Sequence, residues 1–224
     1  LNLKKDFQLV IQIGKAEKES KLVVKSADSL TTEENGLSLQ FHFENFVNGS
    51  NSDIAYAAAR AVGDKVTNNK YNPLFISGDV GLGKTHLIQA VGLKVKKNNP
   101  NFKILYTNSE EFTNEVISGI RFRKISDVRD KYRAIDLLLV DDIQFLENKE
   151  STQEEFFHIF NFLFSTKKQI IFTCDQPPKN IKHVEERLKT RFSQGLTLEL
   201  APPELEMRAA ILLKKAHNEK INID

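Results

Sequence analysis

The sequence holds one cysteine, Cys174, among 224 residues, so no internal disulfide framework is available. A lone thiol fits a reducing compartment, and a cytoplasmic protein is expected. No apolar run approaches the roughly 18–20 residues that a membrane-spanning helix needs. The start shows no signal-peptide pattern. An excess of charge is lacking too: 32 Lys and Arg stand against 30 Asp and Glu, a formal net charge of +2. Contact with a polyanion must therefore come from a local patch. His42, His86, His158, His183 and His217 have no metal-ligand spacing, so no structural zinc site is expected. No constellation of Ser, Cys or His suggests a covalent nucleophile, and no internal repeat is visible. The chain starts at Leu1 rather than Met and stops at Asp224 in a polar stretch, so it is read as part of something longer.

With 40% hydrophobic and 28% charged residues, the composition is that of an ordinary globular domain. Three zones stand out. Residues 1–38 are rich in Lys, Glu and Ser around one alternating stretch, Phe7 to Ile13, which reads as an edge strand followed by a solvated linker. Residues 39–201 alternate strand-like runs with amphipathic segments. Residues 202–224 read as one helix that starts at Pro203 and opens a small, truncated lid. Its apolar residues Leu205, Ala209, Leu212 and Leu213 have no evident partner.

The middle zone predicts strands at Leu74–Ser77, Lys103–Thr107, Leu137–Val140, Gln169–Thr173 and Leu196–Leu200. Helices are predicted near 52–66, 85–97, 110–121 and 152–165, with Asn51 or Ser52 capping the first. Strands that alternate with helices, some of them apolar throughout, imply an α/β fold with a parallel sheet covered on both faces.

Gly78-Asp79-Val80-Gly81-Leu82-Gly83-Lys84-Thr85 satisfies the phosphate-loop pattern G-x-x-x-x-G-K-T, after a strand and before a helix. Glycines let successive N–H groups point inward at a polyphosphate, and the helix offers its positive end to the same charge. Lys84 reaches the β- and γ-phosphates, and the Thr85 hydroxyl binds Mg²⁺. Asp136-Leu-Leu-Leu-Val-Asp141-Asp142 is an apolar strand ending in two carboxylates, at the sheet edge where such folds bind ligands. Asp141 is the expected Mg²⁺ residue, and Asp142 the expected general base that polarises water.

The phosphate loop, DLLLVDDIQFLENKESTQEEFFHIFN and HVEERLKTRFSQGLTLELAPPELEMRAAILLKKA together resemble the ATPase domain of the bacterial DnaA replication initiators, an AAA+ family. The resemblance covers roughly residues 41–224. It implies a P-loop AAA+ fold with a five-stranded parallel sheet sandwiched by helices, bound ATP or ADP with Mg²⁺, weak ATP hydrolysis, and ATP-dependent assembly. It further implies that Val47 and Asn51 lie against adenine and ribose, with Phe46 in the core. Gly78, Gly81, Leu82, Gly83, Lys84, Thr85 and His86 would form the phosphate side, His86 also packing or capping the helix. Asp175 would be the first sensor, with Thr173 a weaker candidate. From the residues alone, Arg187 and Arg191 read as solvated charges on one helical face; by resemblance Arg191 is an arginine finger serving a neighbouring subunit.

The region Glu110–Arg133 matches an insertion that helps build a helical oligomer and a channel for single-stranded DNA. Its stretch 121–133 carries six basic residues against two acidic, with Phe122 and Tyr132 as aromatic support. Val116, Ile117 and Lys149 match strand-contacting positions. Origin DNA, the replicative helicase (through regions mostly absent here) and acidic phospholipids are the other partners implied. Two residues depart from the pattern: Asp79 where Gly is usual, and Ser151 where some relatives carry a basic residue. By the same resemblance, the second sensor arginine and a helix-turn-helix for duplex DNA would lie beyond residue 224. A related helicase loader is the alternative, and a monomeric small-molecule kinase a more distant one.

Overall fold

The computed structural model describes residues 36–68, 70–218 and 221. The strand expected at Phe7–Ile13 lies outside them. Seven helices and five strands are ordered along these residues: α1 (Asp53–Asp64), β1 (Leu74–Ser77), α2 (Lys84–Asn98), β2 (Ile104–Asn108), α3 (Ser109–Arg121), α4 (Ile125–Arg133), β3 (Leu137–Asp141), α5 (Glu150–Ser165), β4 (Gln169–Cys174), α6 (Glu186–Phe192), β5 (Leu196–Glu199) and α7 (Leu205–Asn218). The sheet runs β2-β3-β4-β1-β5, every pairing parallel. Among the described residues no helix is long and apolar enough to cross a membrane.

Side chains alternate across each strand, and both faces are buried. Leu74, Ile76, Leu137, Leu139 and Ile171 enter one core with α1 and α2. Phe75, Leu138, Val140, Ile170 and Phe172 enter the other with α3, α5 and α6. This is why Leu137–Val140 carries no polar residue: a parallel strand covered twice has no solvent face. Phe172 anchors the second core, its ring centroid 5.0 Å from Phe192 and 5.9 Å from Phe156. β5 lies at the sheet edge, and its residues alternate half-buried and exposed.

The structure revises several sequence expectations. Neither Asn51 nor Ser52 caps α1 through its side chain. The Ser52 hydroxyl donates to Asn48 Oδ1 at 3.1 Å, and Asn51 Nδ2 donates to the Ala201 carbonyl oxygen at 2.6 Å. Asn51 thus ties the start of α1 to the end of the sheet. Pro203 is not a first-turn residue, because α7 begins at Leu205. Leu37, counted with the N-terminal segment, is fully buried in the first core, where a Cβ on Gly92 would meet it at 2.9 Å. The 110–133 region is a hairpin of α3 and α4, turned through Arg123 at φ 55°. Gly119 permits the close approach: a Cβ there would lie 3.0 Å from Val128 and 3.3 Å from the Ile125 backbone.

Candidate nucleotide-binding site

The phosphate loop leaves the C-terminal end of β1 and runs directly into α2. Gly78 (φ 144°), Gly81 (φ 84°) and Gly83 (φ 91°) hold backbone conformations that side chains rarely adopt. At Gly78 a Cβ would also come within 2.6 Å of the Leu200 carbonyl oxygen, and at Gly83 within 2.9 Å of the Phe46 ring. Gly83 is the N-cap of α2, so the unpaired N–H groups of the first turn open onto the loop. Lys84 is buried at 7% exposure and donates to the carbonyl oxygens of Gly78 at 2.6 Å and Asp79 at 2.9 Å. The side chain of Asp79 is exposed.

Above the loop lies a cleft of about 500 Å³. Val47 and Asn51 form one wall, and Leu82 through His86 the floor. Asp142 and Gln144 stand at the far side, and Met207, Ile211 and Lys214 of α7 close the top. Phe46, expected in the core, also lines the cleft. The lid residues are ones the apolar pattern did not mark; Leu205, Leu212 and Leu213 are exposed instead. Two buried acceptors lining the cleft, Asn51 Oδ1 and Gln144 Oε1, have no partner among the described residues. Orphaned acceptors of this kind suit a ligand that brings N–H and O–H donors.

Asp141 ends β3 at 4% exposure and is held by hydroxyls from three other elements. Thr85 of α2 donates to Oδ2 at 2.7 Å, Tyr106 of β2 donates to the same oxygen at 2.9 Å, and Thr173 of β4 donates to Oδ1. Burial, and secondarily the Asp141 carboxylate, push the Tyr106 phenol far above its ordinary range, so it stays a donor. Thr173 also accepts the Asp142 backbone N–H at 2.9 Å. Asp142 takes a left-handed conformation at φ 54°, and its Oδ1 accepts from Gln144 Nε2 at 3.1 Å. A buried carboxylate beside a hydroxyl, facing a phosphate loop, fits a hard divalent cation such as Mg²⁺.

His86 lines the cleft but is also committed to packing. Its Nε2–H donates to the His42 carbonyl oxygen at 2.8 Å, and its ring lies 5.1 Å from Phe41 and 5.3 Å from Phe46. Burial lowers its basicity and favours the neutral ring. Asp175, the expected first sensor, is exposed just beyond β4, where it accepts from the Cys174 thiol, and it does not line the cleft. Thr173, two residues earlier and within β4, does reach the site, through its bonds to Asp141 and the Asp142 backbone.

Arg191 lies in the last turn of α6, where it donates to Gln194 at 3.1 Å and sits 6.0 Å from the Phe157 ring. Gly195 follows against Pro73, at the N-terminal end of β1. Arg191 is therefore toward the sheet edge opposite the phosphate loop, away from its own cleft. On α3, Val116, matched to a strand-contacting position, is fully buried; the helix turns Phe112, Val116 and Gly119 inward. Ile117 is 55% exposed and Phe122 65%, and Lys149 is half-buried ahead of α5. Tyr132 is buried edge-on against Phe112 and gives no stacking surface. Two basic residues of the hairpin are paired: Arg129 with Glu155, and Lys131 with Glu115.

Sequence reasoning missed Tyr106, Gln144 and the α7 residues. The sequence signal for Tyr106 is slight, a hydroxyl-bearing ring in the middle of β2, whose sequence is Ile-Leu-Tyr-Thr-Asn.

A parallel sheet in this order, with a phosphate loop after β1, paired carboxylates after β3 and a helical lid segment, defines an AAA+ P-loop nucleotide-binding domain. The family model of the bacterial DnaA ATPase domain matches residues 37–199. The chain belongs to that family. It is 51% identical over 187 residues to the chromosomal replication initiator protein DnaA of Caldanaerobacter subterraneus subsp. tengcongensis, covering 84% of this chain and 42% of that protein. Domain III of the Thermotoga maritima DnaA superposes with a TM-score of 0.81 at 40% identity, covering 84% of this chain and 78% of that one. A replication initiator DnaA bound to AMPPCP and single-stranded DNA matches with a TM-score of 0.77 at 36% identity, covering 84% and 58%. The chain thus spans about two fifths of the length of the curated relative.

Proposed function

We propose that this chain is the nucleotide switch of a chromosomal replication initiator: it binds ATP with Mg²⁺, hydrolyses it slowly, and assembles with copies of itself on DNA when ATP is present. The observation that carries this is the hydrogen bond between Thr85 and Asp141 beneath a glycine-built loop, with two orphaned acceptors in the cleft above. The α2 N–H groups and Lys84 bind phosphate oxygens, Lys84 exchanging its bonds to the loop carbonyls for them. Asn51 and Gln144 accept donors from base and ribose. Thr85 and Asp141 hold the cation, which would neutralise phosphate charge. Asp142, aimed into the cleft and held by Gln144, orients and deprotonates the attacking water. His86 and Phe46 exclude solvent from the nucleotide.

Arg191, remote from its own cleft, is suited to a neighbouring subunit's nucleotide, where a guanidinium stabilises charge on the transferred phosphoryl group. That arrangement makes assembly dependent on ATP. Exposed Ile117 and Phe122, with Lys149 nearby, are the surface offered to single-stranded DNA. Contacts with origin duplex, the replicative helicase and acidic phospholipids, and action in the cytoplasm at the nucleoid, belong to the whole parent protein. What supports the initiator over a helicase loader is membership of the DnaA ATPase domain family.

The test is twofold. Lys84→Ala should abolish binding of a fluorescent ATP analogue while the chain still melts cooperatively. Sedimentation of the full-length parent on single-stranded DNA should show large complexes with ATP, small ones with ADP, and none with Arg191→Ala. ATP turnover without any self-association would point to a loader or a simple kinase instead.

A further inference from the structure

Behind the phosphate site runs a line of hydrogen bonds that the nucleotide chemistry does not use directly. Residues 36–38 form a short strap across β2 and α2. Gly36 sits over Tyr106: a Cβ on it would lie 3.3 Å from the Tyr106 carbonyl oxygen and 3.5 Å from its ring. Leu37 is buried, and the Ser38 backbone N–H donates to Oε1 of Gln89 at 2.8 Å. Gln89, on α2, is 4% exposed, and its side-chain amide is a neighbour of the Tyr106 hydroxyl. That hydroxyl donates to Asp141 Oδ2 at 2.9 Å.

The direction of this line is set at its first member. A backbone N–H only donates, so Ser38 fixes which end of the Gln89 amide is the oxygen. The NH₂ end is the one left on offer to the neighbouring Tyr106 oxygen. The phenolic hydrogen then has one use, the Asp141 carboxylate. An ionised carboxylate offers about four acceptor sites. Thr85 and Tyr106 occupy the two on Oδ2, and Thr173 one on Oδ1. One site on Oδ1 stays open, so the carboxylate is both fixed in orientation and left with a single outward contact.

We propose that Tyr106, with its polarity set by Gln89 and the 36–38 strap, is the positioning residue for Asp141 and thereby sets the affinity of the site for Mg²⁺. The proposal rests on the nucleotide reading above. Tyr106→Phe keeps the ring and removes only the donor. Gln89→Glu keeps the shape and replaces the NH₂ donor with an acceptor. The phenol then turns its hydrogen to Glu, and Asp141 loses the same bond without any change at Tyr106. A purely structural role for Gln89 gives no reason for those two variants to behave alike.

The experiment is a Mg²⁺ titration of the binding of a fluorescent ATP analogue by the full chain, alongside its binding in EDTA and thermal melting. Tyr106→Phe and Gln89→Glu should each raise the Mg²⁺ concentration at half-effect by about tenfold, as loss of a hydrogen bond to a metal ligand typically does. Nucleotide affinity in EDTA should be unchanged, and the double variant should be no worse than either single one. Unchanged Mg²⁺ dependence in Tyr106→Phe, with wild type binding normally, overturns the proposal and leaves the nucleotide reading intact. Additive effects in the double variant also overturn it. A wild type that binds no nucleotide with or without Mg²⁺ overturns both.

Discussion

Arg129 on α4 and Glu155 on α5 form a two-pronged ion pair, Nε to Oε2 at 2.7 Å and Nη2 to Oε1 at 2.6 Å. It is an ionic clamp between the α3–α4 hairpin and α5, beside the packing of Phe112 on Phe156 and of Arg133 on Phe162. Glu155 is 9% exposed, so its charge depends on the partner. Stranding a buried charge costs about 3–5 kcal/mol. The Arg129 side chain is 35% exposed, and solvent screens much of that. A coupling of about 1.5 kcal/mol is expected for such a half-exposed pair, between the surface and buried limits. For a chain of this size each 1 kcal/mol moves the melting temperature by about 2–4 °C. Glu155→Gln should therefore melt roughly 3–6 °C lower at pH 7. A double-mutant cycle with Arg129→Met, which keeps the aliphatic stem, isolates the coupling. The Arg129 hydrogen bonds hold the Glu155 carboxyl below its ordinary value of 4.5. Between the folded and unfolded values the unfolded chain binds more protons, so stability rises with pH there. The coupling should be fully present above pH 4.5 and should fade as pH falls through the lowered folded value. Urea denaturation across this range measures it. A coupling within the additivity error of about 0.3 kcal/mol at pH 7, or one that persists in acid, would refute the reasoning.

Gly195→Ala should be among the costliest single-methyl changes, because the new Cβ would sit 2.0 Å from the Pro73 carbonyl oxygen and 2.6 Å from its nitrogen. A backbone shift at the root of β1 should cost about 3 kcal/mol or more, read by urea denaturation. Phe172→Ala, at the centre of the second core, should cost about 3–5 kcal/mol with the nucleotide loop still formed, so the midpoint falls while nucleotide binding below it persists. Cys174 is fully buried and its thiol is pushed up to about 12, first by burial and then by Asp175. A thiol reagent at pH 8 should leave the native chain unlabelled and label it at the rate of unfolding; fast labelling would contradict this placement.

Much of the fold is legible in the sequence because its strands are buried on both sides. A short apolar run bounded by polar residues, such as Leu137–Val140, has no other place in a domain of this size. Glycine and proline mark the loop ends. The boundaries that shift do so where local rules compete. Pro203 has the right φ for a first helical turn, yet α7 begins at Leu205, after both prolines. Val116 shows the opposite lesson. Its spacing from Phe112 and Gly119 marks it as core, and the structure buries it there. Tyr132 and Arg129 look like part of a basic, aromatic face while only 121–133 is in view. Phe112 and Glu155, distant in sequence, take one into the core and neutralise the other.

The site divides along the same line. Residues whose role depends on local chain geometry, Gly78 through Thr85 and Asp141, can be read from a motif. Those that depend on strand register cannot. β2 pairs with β3 so that Asn108 stands opposite Asp141, and β4 lies on the other side of β3. Tyr106 and Thr173 consequently face the carboxylate from both flanks, and Thr85 meets it from α2 above. A carboxylate at 4% exposure is cut off from water and must find its hydrogen-bond donors within the protein. An Asp at that depth therefore requires several fixed donors. The sequence supplies more than enough Ser, Thr and Tyr to meet the need, and only the sheet order selects Thr85, Tyr106 and Thr173 among them.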